Sequence, residues 1–150
     1  MNSLFDTNTQ QEILDRIENL NETSSAQWGK MNVGQMLTHC QKPIEVANGN
    51  LQLNSKIGFF KKLLFKFFKP LMYNDKTWQK NLGTVTEFKI TETKEFNQEK
   101  EKLVKIINEF SNKQDKSNWP EHPFFGEFNT EQWGKMQYKH LDHHLKQFGV

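Results

Sequence analysis

The chain has 150 residues, a formal net charge of +2 and one cysteine, Cys40. That length suits one domain over residues 1–150 with its own core, and a lone cysteine excludes an intrachain disulfide framework. Nineteen lysines against one arginine, Arg16, lack the bidentate forks that nucleic-acid sites favour, so no nucleic-acid partner is expected.

The N-terminal MNSLFDTNTQQEILD has neither the basic region nor the apolar run of a signal peptide, and a cytoplasmic protein is expected. Thr9 and Glu12 form a capping box ahead of Ile13, Leu14, Ile17 and Leu20, predicting a first helix over about residues 9–20. A second helix is predicted to start after Ser24 or Ser25 and run toward Asn48. Pro43 either ends it near Gln41 or kinks it, because proline frees and crowds the carbonyl four residues earlier, that of His39.

From Val46 to Asn74 there is no acidic residue, and the centre of this span reads KIGFFKKLLFKFFKP. Helical spacing puts Phe60, Leu63, Leu64, Phe67 and Phe68 on one face and Lys62, Lys66 and Lys69 opposite, an amphipathic helix stopped by Pro70. The favoured placement packs this helix on the core with its lysines in water; membrane contact through residues 56–69, or docking of a partner on this helix, is the competing reading. Residues 82–93, LGTVTEFKITET, read as an extended connection or short strand. A further helix fits residues 95–111, with Phe96, Leu103, Ile106, Ile107 and Phe110 as its apolar stripe. The aromatic segment NKQDKSNWPEHPFFGEFN then forms a long loop, and the last helix starts at Asn129 or Thr130 and ends at Gly149. The fold class is all-α.

The pentapeptide QWGKM occurs twice, at Gln27–Met31 and Gln132–Met136. With each Trp in a first helical turn, the positions seven and eleven residues on share its face: Gln35 and His39 in one helix, His140 and His144 in the other. Asn32 and Gln137 lie between them. Polar groups on such a face need partners, since a buried unpaired imidazole or amide costs ~1–3 kcal/mol. One metal ion satisfies three imidazoles together, with His140 and His144 chelating at i and i+4 and His39 closing from the facing helix. Zn, Ni, Fe and Mn all accept such ligands.

Gln35 and Gln137 are expected to orient a bound group, and Trp28, Trp133 and the HPFFG loop to wall the pocket. His122 joins the site only if that loop folds over it. His143 and Asp142 point away as surface or outer groups, and Cys40, about 100° from His39 around the helix, reads as a buried small hydrophobe. The run HLDHH is not a zincin motif, because Leu141 stands where a general-base Glu follows the first His.

Two segments, residues 28–40 (WGKMNVGQMLTHC) and residues 122–149 (HPFFGEFNTEQWGKMQYKHLDHHLKQFG), resemble the DinB/YfiT-like superfamily, in particular its bacterial branch of uncharacterised DinB-like domains. The resemblance implies a four-helix bundle; the FFKKLLFKFF segment, an additional amphipathic helix between the second and third main helices, departs from the family's pattern. The resemblance also implies a divalent metal held by one His on the second main helix and an HxxxH pair on the last, which fall here on His39, His140 and His144. The implied function is a metal-dependent enzyme acting on a small molecule, a hydrolase or a transferase using a low-molecular-weight thiol. The alternative is a non-catalytic stress-response module that binds a ligand or a membrane surface. Reaction type, general acid or base, and the choice between monomer and homodimer stay open at this stage.

Overall fold

A computed structural model describes residues 2–53 and 59–150, with side chains except at residues 59–62. Among the described residues there are five α-helices and no strand: α1 (Thr7–Glu18), α2 (Val33–Asn48), α3 (Phe59–Phe68), α4 (Phe96–Ser111) and α5 (Thr130–Gln147). Lys56, Ile57 and Gly58 of the expected amphipathic segment, and the side chains of Phe60 and Lys62, lie outside the described residues.

Helix α1 begins two residues before Thr9 because Asp6 is its cap, accepting from the Thr9 N–H at 2.8 Å. The start of α2 is a larger correction. Neither Ser24 nor Ser25 caps it; Asn32 does, through a capping box in which its side chain accepts from Gln35 N (2.8 Å) and Gln35 Oε1 accepts from Asn32 N (3.0 Å). Helix α5 starts on the same device, Asn129 with Gln132 (2.9 and 3.2 Å). The structurally equivalent signals are therefore NVGQ and NTEQ. QWGKM precedes the cap in one case and lies inside the helix in the other. Helix α2 also runs through Pro43, whose missing N–H leaves the His39 carbonyl without its helical donor.

Helix α2 packs on α4 and α5, and α1 packs on the same two helices. The core between them is built at helical spacing from Ile13 and Ile17, Met36, Leu37 and Ile44, Leu103, Ile107 and Phe110, and Trp133, Leu141 and Leu145, all at most 1% exposed. The N-terminal segment closes one end: Leu4 N donates to Gly134 O at 3.1 Å, and Phe5 stacks on Phe110. A Cβ at Gly134 would meet Ser3 and Phe5, so glycine is required there for close approach.

Of the two readings of residues 82–93, extended connection or short strand, the structure shows the connection, which contains one 3-10 turn, Thr86–Phe88. Helix α3 is followed directly by a 3-10 turn, Lys69–Met72, that contains Pro70. Its orientation reverses the favoured expectation. Leu63, Leu64, Phe67 and Phe68 are 49%, 57%, 77% and 46% exposed, while Phe65 packs on Phe124 and Phe125. Among the described residues, no helix is long and apolar enough to cross a membrane.

Candidate metal centre

Helix α5 presents an unusual inner face. Gln137, His140, His144 and Gln147 are all buried on it, and α2 faces it with buried His39. His140 and His144 sit one turn apart, with ring centroids 4.7 Å from each other and 5.0 and 4.6 Å from the His39 ring. The ligand atoms of all three lie within 4.8 Å of one another, and His140 Nε2 is 3.1 Å from His39 Nε2.

Two neighbouring hydrogen bonds set the tautomers. His39 Nδ1 is 2.8 Å from the Phe88 carbonyl, which can only accept, so Nδ1 carries the proton and Nε2 offers its lone pair inward. His144 Nδ1 is 2.8 Å from Gln147 Oε1, and the same amide donates from Nε2 to the Trp28 carbonyl at 2.6 Å. That second bond fixes the amide orientation, making Oε1 the acceptor and leaving His144 Nε2 as the free base. Such outer partners orient ligand imidazoles and raise their basicity. His140 differs: its Nδ1 is buried and has no hydrogen-bond partner among the described residues.

Burial holds the three rings neutral. It depresses His39 despite the opposing Phe88 bond, takes His144 to about 3, and with the nearby imidazoles His144 and His39 pushes His140 well below the ordinary value. Two neutral nitrogens 3.1 Å apart repel through their lone pairs unless a proton or a cation lies between them. Nitrogens each ~2.0–2.1 Å from one ion, at angles from 90° to tetrahedral, stand roughly 2.9–3.4 Å apart. His39 and His140 already have that separation, and the donor set therefore fits a divalent ion: three buried histidines close together could bind one.

The loop carrying the first QWGKM serves this arrangement as an outer support. Gln27 N donates to Gln147 O at 2.7 Å, and Gly29, at φ +85°, lies where a Cβ would stand 2.5 Å from Gln147 Nε2. Sequence reasoning missed Gln147 and the Phe88 carbonyl. Gln147 had one detectable signal, its position three residues after His144 on a polar inner face; a backbone carbonyl carries none.

Other expected site residues fall elsewhere. Asn32 and Gln35 are the α2 cap, and Gln35 Nε2 reaches the Glu92 carbonyl instead of a bound group. Gln137, fully buried, donates to Pro43 O at 3.0 Å and ties α5 to α2. Trp133 is core, packed against Phe128, Trp119 and His122. His122 closes its own loop by accepting at Nδ1 from the Phe124 and Phe125 N–H groups. Its neutral ring is held at about 3 by burial, and among the described residues no contact joins it to the triad. Cys40 is buried beside Met36, its thiol pushed far up by burial, as a small hydrophobe would be. Asp142 pairs with Arg16 and Lys146.

Trp28 does line a cavity of about 560 Å³, together with Trp78, Tyr138, His143 and several lysines. Trp78 packs on His140 (5.9 Å between centroids) and His143 on His144 (5.1 Å), so these two residues join the cavity to the histidine cluster. Lys139, next to His140, holds the adjoining loop by donating to the Leu71 and Asn74 carbonyls and to Asn74 Oδ1 at 2.7–3.0 Å.

The family model described as "Protein of unknown function (DUF1569)" matches residues 2–149, and the chain belongs to that family. No curated protein and no solved structure matches the chain. The resemblance to the DinB/YfiT-like superfamily is thereby corrected. It rested on the two histidine-bearing segments, whereas the match to this distinct family spans nearly the whole chain.

Proposed function

We propose that this DUF1569 chain is a divalent-metal protein in which His39, His140 and His144 hold one ion, and that it works as an enzyme on a small molecule. The observation that carries this reading is the convergence of three buried imidazoles whose ligand atoms lie within 4.8 Å of one another, with the ring protons of His39 and His144 held at Nδ1, away from the shared centre. A three-histidine ion with open positions supplies Lewis-acid activation of a water, a thiol or a substrate oxygen at neutral pH. Hydrolysis and thiol transfer are the reaction classes compatible with that chemistry.

The chain's own residues perform the remaining tasks in this proposal. The Phe88 carbonyl and Gln147 keep the imidazoles in the ligating tautomer. Trp28, Trp78 and His143 form the approach from the adjoining cavity, where a substrate of small-molecule size would enter. Mutual packing of α1 and α2 against α4 and α5 supports reading these as a four-helix bundle, with α3 as the additional amphipathic helix. The ion lies between two of its helices in that reading.

Elemental analysis of untagged protein tests the proposal, with His140→Ala in parallel. One equivalent of a divalent metal in the wild type, lost in the variant, is the expected result; equal metal content in both removes His140 from the site. A second reading, a non-catalytic module that binds a ligand or a membrane surface, draws on the exposed apolar face of α3. Wild-type protein that carries no metal as purified and takes up none when metal is added, yet binds lipid, favours that reading.

A further inference from the structure

Helix α3 is attached to the protein by the opposite side from the one a core helix uses. Leu63, Phe67, Leu64 and Phe68 cover an arc of roughly 140° at ~100° per residue, and all four are between 46% and 77% exposed. The contacts that fasten the helix come from outside that arc. Phe65 packs on Phe124 and Phe125, and Lys69 donates to the Glu127 carbonyl and stands over the Phe128 ring. Just beyond, the Leu71 carbonyl accepts from Lys139 Nζ at 2.7 Å and from Trp78 Nε1 at 2.9 Å. The turn after the helix is thus tied down while its apolar arc points to solvent. A contiguous exposed patch of this kind marks an interaction surface.

Charge selects the occupant. Residues 46–74 carry five lysines, Lys56, Lys61, Lys62, Lys66 and Lys69, and no acid; taking these five charges from +2 leaves −3 on the rest of the chain. A second copy pairing through the same face would bring like charges together. A ten-residue helix, ~15 Å long, also presents far less than the ~800 Å² per partner of a standard protein interface. A bilayer with anionic headgroups imposes neither difficulty, since it receives a convex apolar face to a shallow depth and attracts the net positive charge of this segment. We infer that α3 docks this protein on anionic membrane surfaces, with Leu63, Leu64, Phe67 and Phe68 entering the acyl boundary and Lys66 at the headgroups. This surface function does not depend on the metal reading.

Sedimentation with vesicles tests it, using phosphatidylcholine alone and phosphatidylcholine with about 30 mol% phosphatidylglycerol, at low and high salt. The protein is expected to bind the anionic vesicles, to release as salt rises, and to bind the neutral ones at least ~tenfold more weakly. Leu64→Ser/Phe67→Ser should weaken anionic binding ~tenfold or more, as should Lys66→Glu; both leave the helical circular dichroism unchanged because the altered side chains are exposed. Three results overturn the inference: no binding to anionic vesicles at low salt, binding unchanged in both variants, or a wild-type dimer that the double variant turns into monomer. Binding that persists in metal-free His140→Ala keeps this question separate from that of the ion.

Discussion

Replacing Gln147 by leucine removes one side chain that serves two partners. Gln147 is 4% exposed, accepts from His144 Nδ1 and donates to the Trp28 carbonyl. Leucine fills a similar volume but strands a buried imidazole N–H, at ~1–3 kcal/mol, and forfeits a second bond worth ~0.5–1.5 kcal/mol. The metal-free variant should melt on the order of 5 °C lower. It should also bind zinc ~10–100-fold more weakly, since His144 loses the partner that fixes its tautomer. Gln147→Glu separates the two effects: its carboxylate still accepts from His144 Nδ1 but opposes the Trp28 carbonyl, so stability falls while zinc affinity stays within roughly threefold of the wild type. Competition against a chromogenic chelator reads the affinities, and thermal unfolding of the metal-free proteins reads the stabilities. A leucine variant that binds zinc as tightly as the wild type would refute the assignment of His144 Nε2 as a ligand atom.

Three further outcomes follow from the same geometry. Gly29→Ala places a Cβ against Gln147 Nε2 at a φ that disfavours side chains; it should cost ~1–3 kcal/mol in urea unfolding and weaken zinc binding in the same direction as Gln147→Leu. Cys40→Ala should leave the metal-to-protein ratio unchanged and destabilise by less than ~1.5 kcal/mol, because the thiol only fills space. For His122, the folded ring binds its proton only near pH 3 while the unfolded ring binds it near 6.5. The unfolded state therefore takes up more protons in that window, so the stabilising contribution is complete above pH 6.5 and is lost as pH falls toward 3. Its share of the slope is up to ~1.4 kcal/mol per pH unit. Urea unfolding between pH 7 and 4 should show a shallower decline in His122→Phe than in the wild type.

The three histidines were legible because two of them lie at i and i+4 on the inner face of a strongly patterned helix, and the third lies where a core helix would carry an aliphatic residue. The two copies of the pentapeptide that precedes them are not structurally equivalent. QWGKM is a loop before α2 and a helical turn in α5, so the shared offset of eleven residues is a feature of numbering alone. What fixes the helix starts is the Asn-to-Gln capping box at Asn32 and Asn129, a local hydrogen-bond pattern that the repeated tryptophans obscured. The partners of His39 and His144 were hidden for a different reason: the Phe88 carbonyl and the Trp28–Gln147 link depend on where loops cross the helices, which no periodicity encodes. Periodicity likewise defined the apolar arc of α3 but not which side meets the core, and the side that does is set by Phe65 and Lys69.

The coordination sphere itself provides the most direct measurement. X-ray absorption at the metal edge of protein loaded with one equivalent of zinc should show three imidazole nitrogens at ~2.0–2.1 Å with light-atom ligands completing the sphere. A sulfur scatterer at ~2.3 Å, or fewer than three imidazoles, would contradict the assignment of the ion to His39, His140 and His144.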